Sequence, residues 1–176
     1  MEIKHNAIAE CHRGREIMGL MPLEFRLAAA PEHQRIEAMV IDSFEPITWF
    51  KKLDTKIGPL NGRNWRQRWQ ARMRHIFETE IVLVGESGGE MVAMSSGTLD
   101  RESALAYIDL LAVDQRFQGR GYGREMLRGM MQHMKGLGGQ YVYLDCLVDN
   151  DTGNTLYRAE GFEEVARQVR WFRKLP

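Results

Sequence analysis

Apolar side chains recur every three or four positions at Ile36, Met39, Val40 and Phe44, with polar residues between them. That spacing predicts a helix over residues 31–44 that buries one face, and Pro31 suits its first turn. The same period returns at Trp65, Trp69, Met73, Ile76 and Phe77. Residues 64–78 therefore read as a second helix, with arginines over much of the rest of its surface. Between the two, residues 45–62 hold two prolines and two glycines and read as loop or broken helix. A first strand is expected at residues 23–28. Residues 81–85 and 91–99 read as strands joined by a hairpin turn at Ser87-Gly88-Gly89, and a turn over residues 100–104 leads to a strand at residues 107–113. Helical spacing resumes at Met126, Leu127, Met130, Met131 and Met134, within residues 124–135, and Gly136, Gly138 and Gly139 end it. Residues 141–148 are mostly apolar and are expected to form a central strand. A short helix over residues 152–160 stops at Gly161, and residues 162–166 and 168–174 are expected to close as a strand pair. Residues 1–20 have no clear period and read as an N-terminal extension; residues 21–176 read as one domain. The order βα(α)βββαβαββ describes an α/β (α+β) chain, a mixed sheet with helices.

The turn after the strand at residues 107–113 sharpens this picture. Gln118-Gly119-Arg120-Gly121-Tyr122-Gly123 lets the backbone approach a ligand closely and presents free N–H groups at a helix start. Such a nest suits a phosphate or pyrophosphate. No Lys-Ser/Thr follows the last glycine, which excludes a Walker loop. The spacing of Gly119, Gly121 and Gly123 does not meet the dinucleotide pattern either. A tight turn with no ligand is the other reading of the same residues. Charge adds little: 24 basic and 24 acidic residues leave a formal net charge of +0 among 176 residues. Nothing global points to nucleic acid or to a membrane surface. No apolar run is long enough to span a bilayer, and residues 1–20 lack the apolar core of a secretory signal. Two cysteines, Cys11 and Cys146, make no disulfide framework, so a cytoplasmic location is expected. No metal is expected, because no Cys/His cluster has zinc spacing.

Two blocks carry a resemblance to a known family. The first is Leu111-Ala112-Val113 followed by Arg116 through Gly123, which matches a Q/R-x-x-G-x-G/A pattern at Gln118, Gly121 and Gly123. The second runs from Asn150 to Gly161-Phe162 and matches N-x-x-A-x-x-L-Y-x-x-x-G-F, with Gly153 in place of the usual alanine. Separated by one helix and one strand, the two blocks together resemble the GNAT superfamily of acyl-CoA-dependent N-acyltransferases. The resemblance covers residues 81–162 well and the first 80 residues weakly. It implies a mostly antiparallel central sheet that splays after the fourth strand, with helices on both faces. It also implies acetyl-CoA as co-substrate and, as acceptor, a primary amine of a small metabolite or peptide, with direct transfer in a ternary complex. A homodimer is entertained as the assembly.

The resemblance assigns roles residue by residue. The backbone of Gln118, Gly119, Arg120, Gly121, Tyr122 and Gly123 would cradle the pyrophosphate, and that of Leu111, Ala112 and Val113 would pair with the pantetheine amides or polarise the thioester carbonyl. Tyr157 resembles the general acid for the departing thiolate; its other reading is a core aromatic. Asn150 either touches the cofactor or only caps a helix. The base is a strand carboxylate, Asp145 first, where some ribosomal-protein N-terminal acetyltransferases carry a glutamate, and Asp109 second. Either aspartate can equally be a paired structural carboxylate. Tyr107 stands where histone-acetylating relatives carry a glutamate. Cys146 points away from Asp145 and reads as core. The arginines of residues 64–78 are either a solvated face or a lid that attracts an acidic acceptor. A non-catalytic acyl-CoA-binding module would keep the glycine turn but need neither Tyr157 nor Asp145. A protein using the turn for another nucleotide lacks both diagnostic patterns.

Overall fold

Residues 21–175 are described by a computed structural model. Strand β1 (Glu24–Leu27) leads through a single 3-10 turn into α1 (His33–Phe44), followed by α2 (Trp49–Ile57) and α3 (Trp65–Thr79). Strands β2 (Ile81–Ser87), β3 (Glu90–Asp100) and β4 (Leu105–Val113) come next, then α4 (Tyr122–Gly136), β5 (Tyr141–Leu144) and α5 (Asp151–Ala159). The expected N-terminal extension lies outside the described residues.

The sheet order is β1-β2-β3-β4-β5, antiparallel except for the β4–β5 pair. Side chains alternate across it. Val82 and Val84 join Ile36 and Val40 of α1 and Trp69, Met73 and Ile76 of α3 in one core layer. Leu83 joins Met126, Leu127, Met130 and Met134 of α4 in the other. Helices therefore cover both faces, as the resemblance implied.

The residues expected to form loop or broken helix contain a helix, α2, because Thr48 supplies its start. The Thr48 hydroxyl accepts the Phe50 N–H at 3.3 Å and the Trp69 indole N–H at 2.8 Å. One buried side chain thus caps α2 and ties it to α3, a cap of the kind worth about 1 kcal/mol. Asn64 and Gln67 close a reciprocal capping box at the start of α3.

Two expectations fail at the C-terminal side. The central strand expected over residues 141–148 is only Tyr141–Leu144, and it lies at the edge of the sheet with Tyr141 and Tyr143 exposed. Val142 and Leu144 pack against the α4-side layer, while the outward positions are tyrosines, which tolerate water. The expected closing strand pair is absent among the described residues: 162–175 form no strand, and Val165 and Trp171 are more than nine-tenths exposed. Charged residues interrupt that run throughout, and an isolated strand pair with no buried face is marginal.

Strand β4 carries the feature that builds the site. Gly97 pairs with Ile108 and Ser96 with Leu110, so Asp109 is an extra residue, a β-bulge. Ala106 and Ile108 face α4, whereas Leu110 and Ala112, at the same parity, face α1 and α3. The bulge reverses the alternation. Pairing with β5 ends at the same point, at Ile108 and Leu144. Beyond it the two parallel strands part, and the sheet opens after its fourth strand.

Candidate active site

The opening between β4 and β5 is floored by backbone. Asp114 donates its N–H to Val92 of β3 at 2.9 Å, and the Leu110 carbonyl accepts from the Ser95 hydroxyl at 2.8 Å. Backbone groups on one strand alternate in direction, so Leu111 and Val113 present theirs away from β3, into the opening. Ala112 does not: its backbone faces β3 and its side chain is buried in the α1/α3 layer.

At the end of β4 the chain enters the glycine turn. Gly119 (φ 75°) and Gly121 (φ 94°) are left-handed, a conformation that favours glycine. A Cβ at either would meet nothing within 4 Å, so the space above them is open. Among the described residues the N–H groups of Gly119 to Gly121 have no acceptor, those of Tyr122 and Gly123 lie in the first turn of α4 where the helix supplies none, and Gly121 caps α4 with no side chain. The Gln118 amide donates to the Val113 carbonyl at 3.0 Å and pins the turn to the strand. The Tyr122 side chain is buried, its hydroxyl 3.0 Å from that of Ser87. Only its N–H belongs to the cradle. Arg120 lies over the Phe117 ring, 5.4 Å from its centroid.

Helix α5 closes one side. Gly123 is close to both Val113 and Leu156, so α5 packs where β4 and α4 meet. Tyr157 is half-buried in the α4-side layer, with the Phe162 ring 5.9 Å away. Burial pushes its hydroxyl up to about 12, with the neighbouring Cys146 thiol a second cause. The group keeps its proton at any ordinary pH. Asn150 caps α5, accepting the Gly153 N–H at 3.1 Å. A Cβ at Gly153 would lie 2.6 Å from the Asn150 amide and 3.1 Å from the Cys146 sulfur. An alanine here would displace the capping Asn150 side chain, so the glycine in place of the usual alanine leaves room for that cap. Cys146 is half-buried, and burial raises its thiol.

The opposite wall is acidic. Asp145 lies just past the end of β5, exposed, rather than on a strand. The Tyr107 hydroxyl is 3.2 Å from Asp109 and 3.5 Å from Asp145, and so stands between the two aspartates singled out by sequence. Burial is the main reason the Tyr107 hydroxyl is held well above its usual range, and the two carboxylates add to it. Asp109 is gripped by Arg72 of α3, whose Nη2 lies 2.6 and 2.8 Å from its two oxygens. Glu80, between α3 and β2, lies against Asp109 and was not visible in the sequence. Its carboxyl is raised to about 7, first by burial and then by the negative charge of Asp109. The only sequence signal was a carboxylate directly before a buried strand, a pattern with many innocent instances.

Three of the α3 arginines are held by carboxylates, while Arg66 and Arg74 lie on the exposed face of the helix. Arg66 bonds Asp42 at 3.0 Å and Glu45 at 2.5 Å, Arg68 bonds Asp54 at 2.5 Å, and Arg72 holds Asp109. Among the described residues no cluster of three or more His, Cys, Asp or Glu is placed to hold a metal, and no helix is long and apolar enough to cross a membrane.

A parted β4–β5 pair, a glycine cradle and a tyrosine-bearing α5 occur together here, and residues 47–162 match the model of the acetyltransferase (GNAT) family. The chain belongs to that family. Among curated relatives it is 36% identical over 89 residues to the N-alpha-acetyltransferase RimI of Mycobacterium tuberculosis, covering 49% of this chain and 54% of that protein. It is 31% identical over 65 residues to a spermine/spermidine N(1)-acetyltransferase of Bacillus subtilis, covering 36% of this chain and 43% of that one. The chain thus spans about half the length of the curated relatives it matches. Solved GNAT structures share the fold over most of the chain. AAC(6')-Iy in complex with the bisubstrate analogue CoA-S-monomethyl-acetylneamine superposes with a TM-score of 0.61 at 11% identity, covering 87% of this chain and 99% of that one. The ribosomal-protein-S18-alanine N-acetyltransferase of Escherichia coli gives 0.59 at 16% identity, covering 82% and 79%.

Proposed function

We propose that this GNAT protein moves an acetyl group from acetyl-CoA to a primary amine of a small metabolite or peptide, by direct transfer in a ternary complex. The observation that carries the proposal is the run of unpartnered N–H groups from Gly119 to Gly123 opening onto the free edge of β4. A pyrophosphate fits that cradle, and pantetheine amides fit the outward backbone of Leu111 and Val113. The chemistry acetyl-CoA supplies is an activated thioester carbon; the rest belongs to the chain. The Val113 N–H polarises the carbonyl oxygen. Asp145, exposed at the mouth, takes a proton from the amine. Tyr157, fully protonated, gives one to the leaving thiolate. Asn150 is assigned to the helix cap, its carbonyl oxygen already spent on Gly153. Asp109 is the weaker candidate for base, since both its oxygens face Arg72.

Asp145 is exposed at the mouth, with Asp109 and the half-buried Glu80 behind it and Arg72 the guanidinium they share, an arrangement that favours a cationic acceptor. That reverses the acidic acceptor a basic α3 suggested. Cationic amines are also the class in the name of the Bacillus subtilis relative. The proposed compartment is the cytoplasm, and the half-buried thiol of Cys146 suits it. A screen of amines with acetyl-CoA, read as free thiol, tests the proposal. Thiol release with polyamines or peptide N-termini is expected. CoA binding with no release for any amine would instead mean a non-catalytic acyl-CoA-binding module.

A further inference from the structure

The mechanism above leaves Glu80 unused, although burial and the neighbouring Asp109 raise its carboxyl. Its Oε2 is buried with no hydrogen-bond partner among the described residues. The groups facing it come from three elements: Arg72 from α3, Ser96 from β3, and Asp109 from β4. Tyr107 adjoins Asp109 on the other side and links it to Asp145. Two carboxyls therefore meet over one guanidinium. Like charges in contact cannot both ionise cheaply. The Ser96 hydroxyl, itself buried without a partner among the described residues, can donate to Glu80, and one proton held between the two carboxyls relieves the repulsion that remains between them.

We propose that Glu80 and Asp109 hold one proton between them, and that this pair receives the proton given up by the acceptor ammonium, delivered through Asp145 and the Tyr107 hydroxyl. The inference rests on the acetyl-transfer reading. Asp145 takes a proton from the ammonium nitrogen. The Tyr107 oxygen accepts that proton from Asp145 and passes its own to Asp109. Tyr107 is neutral before and after. In molecules where the pair has lost its shared proton, this step restores it and takes the pair from two negative charges to one, and the amine becomes free to attack the thioester carbon. Before the next cycle the proton leaves to solvent by the same route. Glu80 touches no substrate; it is a positioning residue that sets how firmly Asp109 holds a proton.

Glu80→Gln keeps the shape of the pair and the Arg72–Asp109 bridge while removing the shared site. The first readout needs no activity. A carboxyl protonated in the fold but ionised in the unfolded chain costs stability as pH rises from its unfolded value, about 4.3, toward neutrality. That cost disappears in the variant. The Tm of Glu80→Gln minus that of wild type should therefore grow between about pH 5 and pH 8. The second readout is the pH profile of kcat/KM with a cationic amine. Wild type should show a limb near neutrality. Glu80→Gln should move it to the acid side and lower the plateau about tenfold, as a weaker base does. Tyr107→Phe should lose the limb yet keep the wild-type dependence of Tm on pH.

A Tm difference that stays flat with pH overturns the shared proton. A growing difference with an unmoved limb makes the pair structural and overturns the route. Wild type that releases no thiol with any amine sinks the acetyl-transfer reading and the route with it, whatever the Tm comparison gives. Should Glu80→Gln not fold, NMR titration of the glutamate carboxyl carbons in wild type decides the first point. One should titrate near neutrality, and all titrating below about pH 5 overturns the shared proton.

Discussion

Tyr157 shows what a single residue contributes. Its hydroxyl is pushed up to about 12 by burial, so it is protonated at ordinary pH, as the proposed acid must be. Removing it should affect only the step in which thiolate leaves. Tyr157→Phe should lower kcat by roughly ten- to a thousandfold and leave acetyl-CoA affinity nearly intact. Full activity would reduce Tyr157 to packing. Asp145→Asn should depress the rate mostly at neutral pH and less at high pH, where the free amine is already abundant. A uniform loss at every pH would make Asp145 structural, and a pH-dependent loss in Asp109→Asn instead would move the base there. Both aspartates and Tyr157 were legible because their neighbours in sequence carry a family pattern. Glu80 was not, and Arg72 was legible only as part of a basic helix: what makes them notable is proximity to Asp109 across 29 and 37 positions of chain, and no local pattern encodes that.

At the scale of elements, the site depends on two irregularities. One is the bulge at Asp109, which places Asp109 and Leu110 out of alternation and ends the β4–β5 pairing. The other is the left-handed turn at Gly119 and Gly121. Gly121→Val should weaken CoA binding sharply, because valine strains at φ 94° and its side chain would enter the open space above the turn. A folded Gly121→Val protein with unchanged CoA affinity by calorimetry would remove the cradle from the account. Helices α1, α3 and α4 and strands β2 to β4 were readable from period alone, since each buries one face or two. Helix α2 was hidden by Pro46 and Pro59 at its flanks, and its start rests on a tertiary bond from Trp69 to Thr48. The bulge left no trace in the run of residues 107–113, which reads as an unbroken strand. The closing strand pair was wrongly expected because alternation alone does not supply a surface to bury against.

For the whole molecule, two core layers hold an open sheet between them, and the proposed site lies where the sheet parts. A ligand that binds only the folded chain raises its melting temperature by mass action. CoA should do so more than NAD or ATP, and an equal shift with NAD would favour a dinucleotide site. The central claim is amine-dependent acetyl transfer through a ternary complex. Its most direct test is the initial rate of thiol release while acetyl-CoA and a cationic amine are varied together. Thiol release that requires the amine, with double-reciprocal lines that converge, is the predicted result. Parallel lines, with an acetyl group trapped on Cys146, would mean a covalent intermediate, and no release with any amine would mean no transfer; either contradicts the account.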